Sequence, residues 1–392
     1  MSLTRTALIW AFAGLLGLSV AKIASAGGVR EPAAPDRVQH SALQAQAGIV
    51  LASDSQSVFG IKVVGNKFTD LSGNVLQLQG ENVTGLSERE PSMWNGFYNT
   101  TVSTWKAIKN AWHMNVIRLP VNEYDWRNNT SSAGGHPYQL IVETTVANIV
   151  ASGMYVIIDL HWAAPNAYTS SACGSAPGCA DGQPGYLNAD NSPNFWISIA
   201  TRFKNNPAVL FELFNEPFAD DASSWDSTRL GLLLNGGTFI FWDQAHGKGS
   251  PVKTTVSFAV AGHQQLVNAI RATGATNVIL YSCPGWDAVP SRSLTVKPTD
   301  PLNQLGATVH YANGSNSDYT NILNAGIPIL ITEFYTLASR GGYPWAQANH
   351  IGYVMWGANN WSSNSDLSSL ITRSPWSYND SNGNNAAAWP PF

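Results

Sequence analysis

The sequence predicts an α/β protein whose strands close into a (β/α)₈ TIM barrel, a single domain with long βα-loop insertions. Eight short apolar runs alternate with stretches of helical spacing through most of the chain. Most of these runs are apolar on both faces, as parallel strands covered by helices require. No Gly-rich phosphate turn follows an early strand, which favours the closed barrel over an open doubly wound sheet.

The elements are predicted from these two periodicities. The eight predicted strands are Val75–Gln79, Val116–Val121, Tyr155–Leu160, Val209–Leu213, Val278–Ser282, Ala307–Tyr311, Ile327–Thr332 and Tyr353–Trp356. Helical spacing occurs in Val102–Ala111, Tyr138–Ala151, Phe195–Lys204, Ala261–Ala272, Tyr319–Asn324 and Ala346–Ile351. In the insertion after the fourth strand, Thr238–Trp242 and Val252–Phe258 are expected to pair as a hairpin.

The first residues have the layout of a secretory signal. A basic residue precedes the apolar run Ala7–Ala21, and small residues follow it up to Ala26. We therefore predict a signal peptide over 1–26, a flexible leader over 27–55 and the barrel domain over 56–392. The mature protein is expected to be secreted, extracellular or periplasmic, and free of the membrane. An uncleaved signal anchor is the alternative.

The composition excludes some partners and favours others. Charged residues make up 12% of the chain and the net charge is −4, so there is no basic surface for nucleic acid or anionic lipid. The chain has 15 Trp, and aromatic faces can stack on sugar rings. For any single Trp, packing in the core is the more ordinary role.

The cysteines do not suggest a metal site. Cys173 and Cys179 share one Gly- and Ala-rich loop, and the sequence leaves open whether they form a disulfide. Cys283 is expected to be a buried thiol. No Cys/His cluster has metal-ligand spacing, so no metal is predicted. No cofactor is predicted either, because bulky residues follow Glu333 where a cofactor phosphate would need a glycine turn.

Polar or aromatic residues stand at the C-terminal ends of six apolar runs, where barrel enzymes build their active sites. They are Arg118, Asp159, His161, Trp162, Asn215, Glu216, His310, Tyr311, Glu333 and Trp356. Solvent exposure of strand ends would explain one or two of them. It does not explain a set that converges on two carboxylates.

Two carboxylates at such a site suit the cleavage of a glycosidic bond. A retaining glycosidase needs two carboxyl groups about 5–5.5 Å apart, one to protonate the leaving oxygen and one to attack the anomeric carbon. Glu216 and Glu333 end strands on opposite sides of the barrel mouth. We expect Arg118 and a nearby phenol to keep Glu333 ionised, and a drier setting to raise the pKa of Glu216.

Four of these strand ends resemble glycoside hydrolase family 5. Val209–Pro217 resembles the acid/base strand of that family, and Ile331–Phe334 resembles its nucleophile strand. Asn115–Val121 looks like its arginine strand and Val156–Trp162 like its histidine strand. Asn-Glu-Pro alone is a weak signal, but four such strands in order, within about residues 60 to 365, are a strong one.

The resemblance implies a role for most of the strand-end residues. It implies Glu216 as acid/base, Glu333 as nucleophile, Arg118 as its support, Asn215 and the two histidines His161 and His310 as sugar contacts, and Trp356 as a stacking floor. One departure concerns the phenol, because the family shows His-x-Tyr where this chain has His310-Tyr311. Strand side chains alternate, so Tyr311 reaches the site only through a local shift, or Tyr335 supplies the phenol.

Several nearby residues have plainer explanations. Glu212 is expected to be a buried structural carboxylate, Asp159 a barrel-interior residue, and His113 incidental. Trp162, Trp286 and Trp361 follow strands three, five and eight. Each of these tryptophans either lines the cleft or packs under a loop.

The resemblance implies a reaction more firmly than a substrate. We expect a monomer that binds a β-linked polysaccharide or oligosaccharide, with endo-β-1,4-glucanase (cellulase) as the first choice. A β-mannanase or another β-glycanase of the family is the alternative. A non-catalytic carbohydrate-binding barrel is the alternative of another class, although a binder would need only aromatic platforms.

Overall fold

The computed structural model describes residues 59–87, 91–169, 175–180, 182–218, 233–241, 252–310, 316–334, 346 and 348–356. All of them belong to one compact unit, Asp54–Phe392. The predicted signal peptide and leader lie outside the described residues, as do Cys173, Tyr311, Tyr335 and Trp361. Within the described residues, no helix is both long enough and apolar enough to cross a bilayer.

A small antiparallel sheet precedes the barrel. Its strands are β1 (Ile61–Val64), β2 (Lys67–Asp70) and β3 (Val75–Leu76). The backbone N–H of Ile61 donates to the carbonyl of Pro207, and that of Val63 to the side chain of Gln304. Both acceptors lie just before barrel strands begin, so this sheet covers the N-terminal end of the barrel.

Eight parallel strands close on themselves. In barrel order they are β4 (Gln79–Asn82), β5 (Val116–Asn122), β6 (Tyr155–Trp162), β8 (Val209–Glu212), β11 (Ile279–Ser282), β12 (Leu305–His310), β13 (Ile329–Phe334) and β14 (Gly352–Met355). Strand β14 pairs with β4, which completes the circle. The barrel predicted from the sequence is confirmed.

The helices of the described residues follow the strands they cover. They are α1 (Pro91–Asn99), α2 (Val102–Trp112), α3 (Glu123–Asn128), α4 (Tyr138–Ala151), α5 (Ser192–Phe203), α6 (His263–Ala272) and α7 (Asn316–Asn324). Helix α2 begins where the Thr101 hydroxyl accepts from the N–H of Thr104, and it ends at His113 in the left-handed region. This cap explains His113 without a catalytic role.

The first barrel strand differs from the prediction. Val75 and Leu76 belong to the small N-terminal sheet, and the barrel strand is Gln79–Asn82. Its sequence, Gln-Gly-Glu-Asn, has no apolar run, yet all four residues are buried. A Cβ on Gly80 would lie 1.8 Å from the carbonyl oxygen of Val116, so the strand needs glycine there to approach β5.

The predicted hairpin in the long insertion is confirmed. Strands β9 (Leu233–Phe241) and β10 (Val252–Ala259) pair antiparallel, and β7 (Gly182–Pro184) adds to the outer edge of β9. The backbone N–H of Ala189 donates to the carbonyl of Ala259, which joins this sheet to the loop before α5. Along the chain, β7 precedes β8, whereas β9 and β10 follow the segment after β8 that contains Glu216.

The barrel interior is apolar near the strand starts. Val116, Ile157, Leu210, Leu280 and Leu330 form one buried cluster there. The ring of Phe68 from β2 belongs to the same cluster and fills the space beside Gly306, where a Cβ would approach it to 2.7 Å. Two residues further along these strands the inward side chains become polar, because strand side chains alternate.

Candidate active site

Arg118 on β5 is the centre of the polar half of the barrel interior. Its guanidinium is fully buried and binds Glu212 bidentately, with Nε–Oε2 and Nη2–Oε1 distances of 2.7 and 3.0 Å. Nη1 donates to Asn82 and Glu333, both at 2.8 Å. Nη2 donates to Asn215 at 2.8 Å and lies 3.0 Å from Oδ2 of Asp159. One cation on β5 therefore binds five side chains, which come from β4, β6, β13 and from β8 and its end.

Three buried carboxylates share this single guanidinium. Burial lowers the pKa of Arg118, but the charges of Asp159, Glu212 and Glu333 outweigh it and raise that pKa well above its usual value. Burial raises the pKa of Glu212 to about 7, although Arg118 opposes the shift. The expectation of Glu212 as a buried structural carboxylate agrees with this position.

Glu333 reaches the interior through a β-bulge. Val309 pairs with Ile331, but the next residue, His310, pairs with Glu333, so Thr332 is an extra residue in β13. Without the bulge, Glu333 would follow Ile331 toward the helices. Such insertions re-aim side chains and are common next to active sites.

Glu216 stands just beyond β8 with its carboxyl group facing His310. His310 Nδ1 lies 2.9 Å from Oε1 of Glu216, and Gln183 Nε2 lies 3.5 Å from Oε2. The backbone N–H of Glu216 donates to Oδ2 of Asp287 at 2.9 Å. Glu216 has a φ of +50°, which L-residues with side chains seldom adopt.

A strained turn follows β11 beside Glu216. Gly285, Trp286 and Asp287 have φ values of +69°, +62° and +53°. For residues other than glycine this conformation costs on the order of 1–2 kcal/mol each. Trp286 is 37% exposed, and its ring stacks on Phe218 with centroids 4.1 Å apart. The turn thus places the exposed ring of Trp286 against Phe218, which is two residues after Glu216 in the chain.

The two glutamates are close enough to act on one bond. One carboxylate oxygen of Glu216 and one of Glu333, together with a ring nitrogen of His310, all lie within 4.8 Å of one another. Among the described residues this is the group that could hold a cation, but the spacing also suits a retaining glycosidase. An inverting enzyme separates its carboxyl groups by about 6.5–9.5 Å.

The electrostatics of this pair correct one expectation from the sequence. Burial raises the pKa of Glu333 well above its usual value, and the charge of Glu216 raises it further. Burial also raises the pKa of Glu216, but the hydrogen bond and charge of His310 outweigh it, and the net shift is downward. Arg118 lowers the pKa of Glu333, but burial and the charges of Glu216 and Asp159 outweigh it.

His161 is held from below by Asp159. Its Nδ1 lies 2.7 Å from Oδ2 of Asp159, which fixes the ring beside the interior carboxylates. The ring of Trp356 lies parallel to it, with centroids 5.4 Å apart and planes 8° apart. The indole and the imidazole thus form one wall of the site.

The structure brings most of the predicted site residues together. Hydrogen bonds and ion pairs connect Arg118, Asn215, Glu216, His310 and Glu333, and Asp159 connects His161 to the same network. Trp162 is 7% exposed and belongs to a separate cluster with Tyr186 and Phe258, which agrees with packing under a loop. Tyr311 and Tyr335 lie outside the described residues.

Three polar residues of the site were missed by the sequence analysis. The side-chain amide of Asn82 donates to the carbonyls of Thr332 on β13 and Met355 on β14, and its oxygen accepts from Arg118. Gln183 donates to the Asn215 carbonyl at 2.9 Å from the insertion sheet. Asp287 binds Glu216. None of the three directly follows an apolar run, so sequence periodicity gave no signal for them.

Two cysteines, Cys179 and Cys283, lie among the described residues. Cys179 is disulfide-bonded, and its partner is not among the described residues. Cys283 is free and buried, as expected, and burial raises its pKa well above its usual value.

Comparison with known proteins agrees with this geometry. The family Cellulase (glycosyl hydrolase family 5) matches residues 69–364. Endoglucanase E-5 of Thermobifida fusca is 24% identical over 287 residues, which cover 70% of this chain and 48% of that protein. Endoglucanase Z of Dickeya dadantii is 22% identical over 305 residues, covering 76% and 55%. The chain therefore spans about half the length of these curated relatives.

Solved structures share the fold. Cellulase Cel5C_n has a TM-score of 0.51 at 18% identity, with 82% of this chain and 94% of that chain covered. A β-mannanase from Thermomonospora fusca has a TM-score of 0.50 at 15% identity, covering 80% and 88%. The family match extends over about three quarters of the sequence and includes the strands that carry both glutamates. The chain belongs to glycosyl hydrolase family 5.

Proposed function

We propose that this chain is a retaining β-glycoside hydrolase, an endo-β-1,4-glucanase, with Glu216 as acid/base and Glu333 as nucleophile. The observation that carries the proposal is the separation of the two carboxylates, within 4.8 Å at their nearest ligand atoms. That spacing leaves no room for a water between a carboxylate and the sugar, as inversion would require.

Each step of a double displacement has a residue to perform it. Glu216 protonates the leaving oxygen while Glu333 attacks the anomeric carbon and forms a glycosyl ester. Glu216, now a carboxylate, then takes a proton from the water that cleaves the ester. Asn215, held by Arg118, is placed to bind the sugar 2-OH, and Trp356 to stack under the ring.

Substrate binding is expected to favour the protonated form of Glu216 and the ionised form of Glu333. Two carboxyl groups this close retain one proton between them, because their charges repel. A glycosidic oxygen that accepts a hydrogen bond from Glu216 favours the protonated form of that residue. Positive charge developing at the anomeric carbon favours ionised Glu333. Binding thus shifts the shared proton toward Glu216.

Support for a glucan substrate comes from the names of the curated relatives. Endoglucanase E-5 and Endoglucanase Z are both named for this activity. The site keeps two carboxylates, Arg118 and the histidine pair, which a purely carbohydrate-binding barrel would not need. We therefore propose hydrolysis rather than binding as the function.

The test is release of reducing sugar from carboxymethyl cellulose, mixed-linkage β-glucan and galactomannan in parallel. We expect release on the two glucans, a loss of at least about 10³-fold in Glu333→Gln, and products that keep the β configuration by NMR. Release on galactomannan alone would change the substrate to mannan but keep the mechanism. No release from any of the three by the folded protein would refute the proposed function.

We also propose that the protein is secreted after cleavage near Ala26 and acts as a monomer. The sequence pattern of residues 1–26 supports the first statement. The second is supported by a site whose carboxylates, cation and histidines all come from one chain. N-terminal sequencing of the exported protein and its mass by light scattering test the two statements.

A further inference from the structure

We propose that Asp287 is a positioning residue for the acid/base: it holds Glu216 in the backbone conformation from which its carboxyl group reaches the leaving oxygen. The inference rests on the proposed function, because only a catalytic Glu216 gives this contact a consequence for the reaction. Asp287 lies in the turn after β11, opposite the end of β8.

The carboxylate of Asp287 connects two strand ends. It is fully buried, and each oxygen accepts a different backbone N–H. Oδ2 accepts from Glu216 at 2.9 Å and Oδ1 from Cys283 at 2.6 Å. With one donor on each oxygen, the side chain has little freedom to turn. The position of Glu216 is thereby fixed relative to the end of β11.

The conformation of Glu216 needs such a partner. Its φ of +50° is unfavourable for a residue with a side chain, and the following Pro217 restricts it further. Eight residues other than glycine have positive φ among those the structure describes, and Glu216, Trp286 and Asp287 are three of them. Strained backbone conformations persist where surrounding contacts hold them in place. Here the strained segments hold each other, because Glu216 donates to Asp287 and Trp286 donates to the carbonyl of Pro217.

Asp287 also controls the side-chain partner of Glu216. The backbone N–H of His310 donates to the Asp287 carbonyl at 2.7 Å, and His310 Nε2 lies 3.8 Å from Oδ2. The other ring nitrogen of His310 contacts Glu216 at 2.9 Å. One residue thus anchors both the backbone of Glu216 and the imidazole that faces its carboxyl group.

The test compares two substrates that differ in their need for an acid. When a β-glucan is cleaved, the departing sugar would be an unstable alkoxide unless an acid protonates its oxygen. By contrast, 2,4-dinitrophenyl β-cellobioside releases a stable phenolate, which needs no acid. We expect Asp287→Ala to lower kcat/KM on β-glucan on the order of 10–100-fold, since small misplacements of a catalytic group have effects of this size. On the aryl glycoside the change should stay below about 3-fold.

Asp287→Asn and Ser293→Ala are the matched variants. Asn keeps one acceptor oxygen, so Asp287→Asn should retain more glucan activity than Asp287→Ala. If the Ala variant does not fold, the glucan and aryl glycoside activities of the Asn variant still test the contact with Glu216. Ser293 is buried in the same loop but contacts Tyr281 instead, and its Ala variant should leave both activities unchanged.

The outcomes separate this inference from the proposed function. A loss confined to the glucan supports a positioning role. Equal losses on both substrates would indicate a general structural role and overturn it, and so would full glucan activity in Asp287→Ala. If the unaltered protein cleaves neither substrate, the proposed function itself fails. Should galactomannan be the polysaccharide cleaved, the matching aryl β-mannobioside replaces the cellobioside.

Discussion

Replacing Arg118 by Met should destabilise the protein in a pH-dependent way. The substitution keeps much of the side-chain length but leaves Glu212, Asp159 and Glu333 buried without their shared cation. Removing one partner of a buried ion pair costs about 3–5 kcal/mol. For a domain of more than 300 residues, 1 kcal/mol corresponds to roughly 1.5 °C in Tm, because the unfolding entropy is about 2.1 cal/mol/K per residue. The expected fall in Tm at neutral pH is therefore roughly 4–8 °C.

The sign of the pH dependence follows from the carboxylates. Without Arg118 the folded-state pKa values of Glu212 and Glu333 rise further above the unfolded ones, and burial already raises that of Glu212 to about 7. Stability from such groups is fully present below the unfolded pKa and is lost as pH rises through the folded pKa. The deficit of Arg118→Met relative to the unaltered protein should thus be smallest near pH 4 and largest above pH 7.

Thermal unfolding by circular dichroism from pH 4 to pH 8 measures this deficit. Arg202→Met is the control, because Arg202 pairs with Glu143 at the surface and should contribute only about 0–1 kcal/mol. The double variant Arg118→Met/Glu212→Gln should recover part of the loss, since it removes one stranded charge. A deficit that is independent of pH, or no larger than that of the control, would refute the reasoning.

Three further predictions follow from single contacts. Burial raises the pKa of Glu123 to about 7 from 4.5, so stability should fall by up to about 3 kcal/mol as pH rises through this interval. Glu123→Gln should flatten that fall in urea titrations at pH 5 and pH 8. Gly80→Ala should prevent folding or cost several kcal/mol, because its Cβ would meet backbone 1.8 Å away. Gly65→Ala, with a φ of +56° and open space, should cost only about 1–2 kcal/mol in the same assay. Trp286→Ala should raise KM for long glucans roughly 3–10-fold, by loss of a stacking surface, with hydrolysis of an aryl cellobioside as the comparison.

Most of the fold could be predicted because covered parallel strands carry apolar residues on both faces. Seven of the barrel strands satisfy this rule, and their polar ends marked Arg118, Glu216 and Glu333 for the site. The first strand, Gln79–Asn82, lacks apolar residues. Gly80 is needed there for the close approach to β5, and Asn82 accepts a hydrogen bond from Arg118. A strand whose buried groups are satisfied by partners distant in sequence leaves no local pattern.

The finer geometry of the site was outside the reach of sequence periodicity. Period two places Glu333 on the same face as Ile331, and only the extra residue Thr332 turns it inward. The role of Asp287 depends on a left-handed turn and on a hydrogen bond to a residue 71 positions away. Likewise, we expected from the sequence that Arg118 would keep Glu333 ionised. That expectation left out burial and the charges of Glu216 and Asp159, which raise the pKa of Glu333.

The barrel interior is divided into an apolar half and a charged half. Val116, Ile157 and Leu210 fill the half that Phe68 closes, and the residues two places further along their strands, Arg118, Asp159 and Glu212, carry charge. Substitutions that change side-chain volume in the apolar half should change thermal stability first, because none of its side chains binds Arg118. A laboratory evolution campaign can therefore diversify the apolar half for thermal tolerance and, in a separate library, the loops of the mouth for substrate choice.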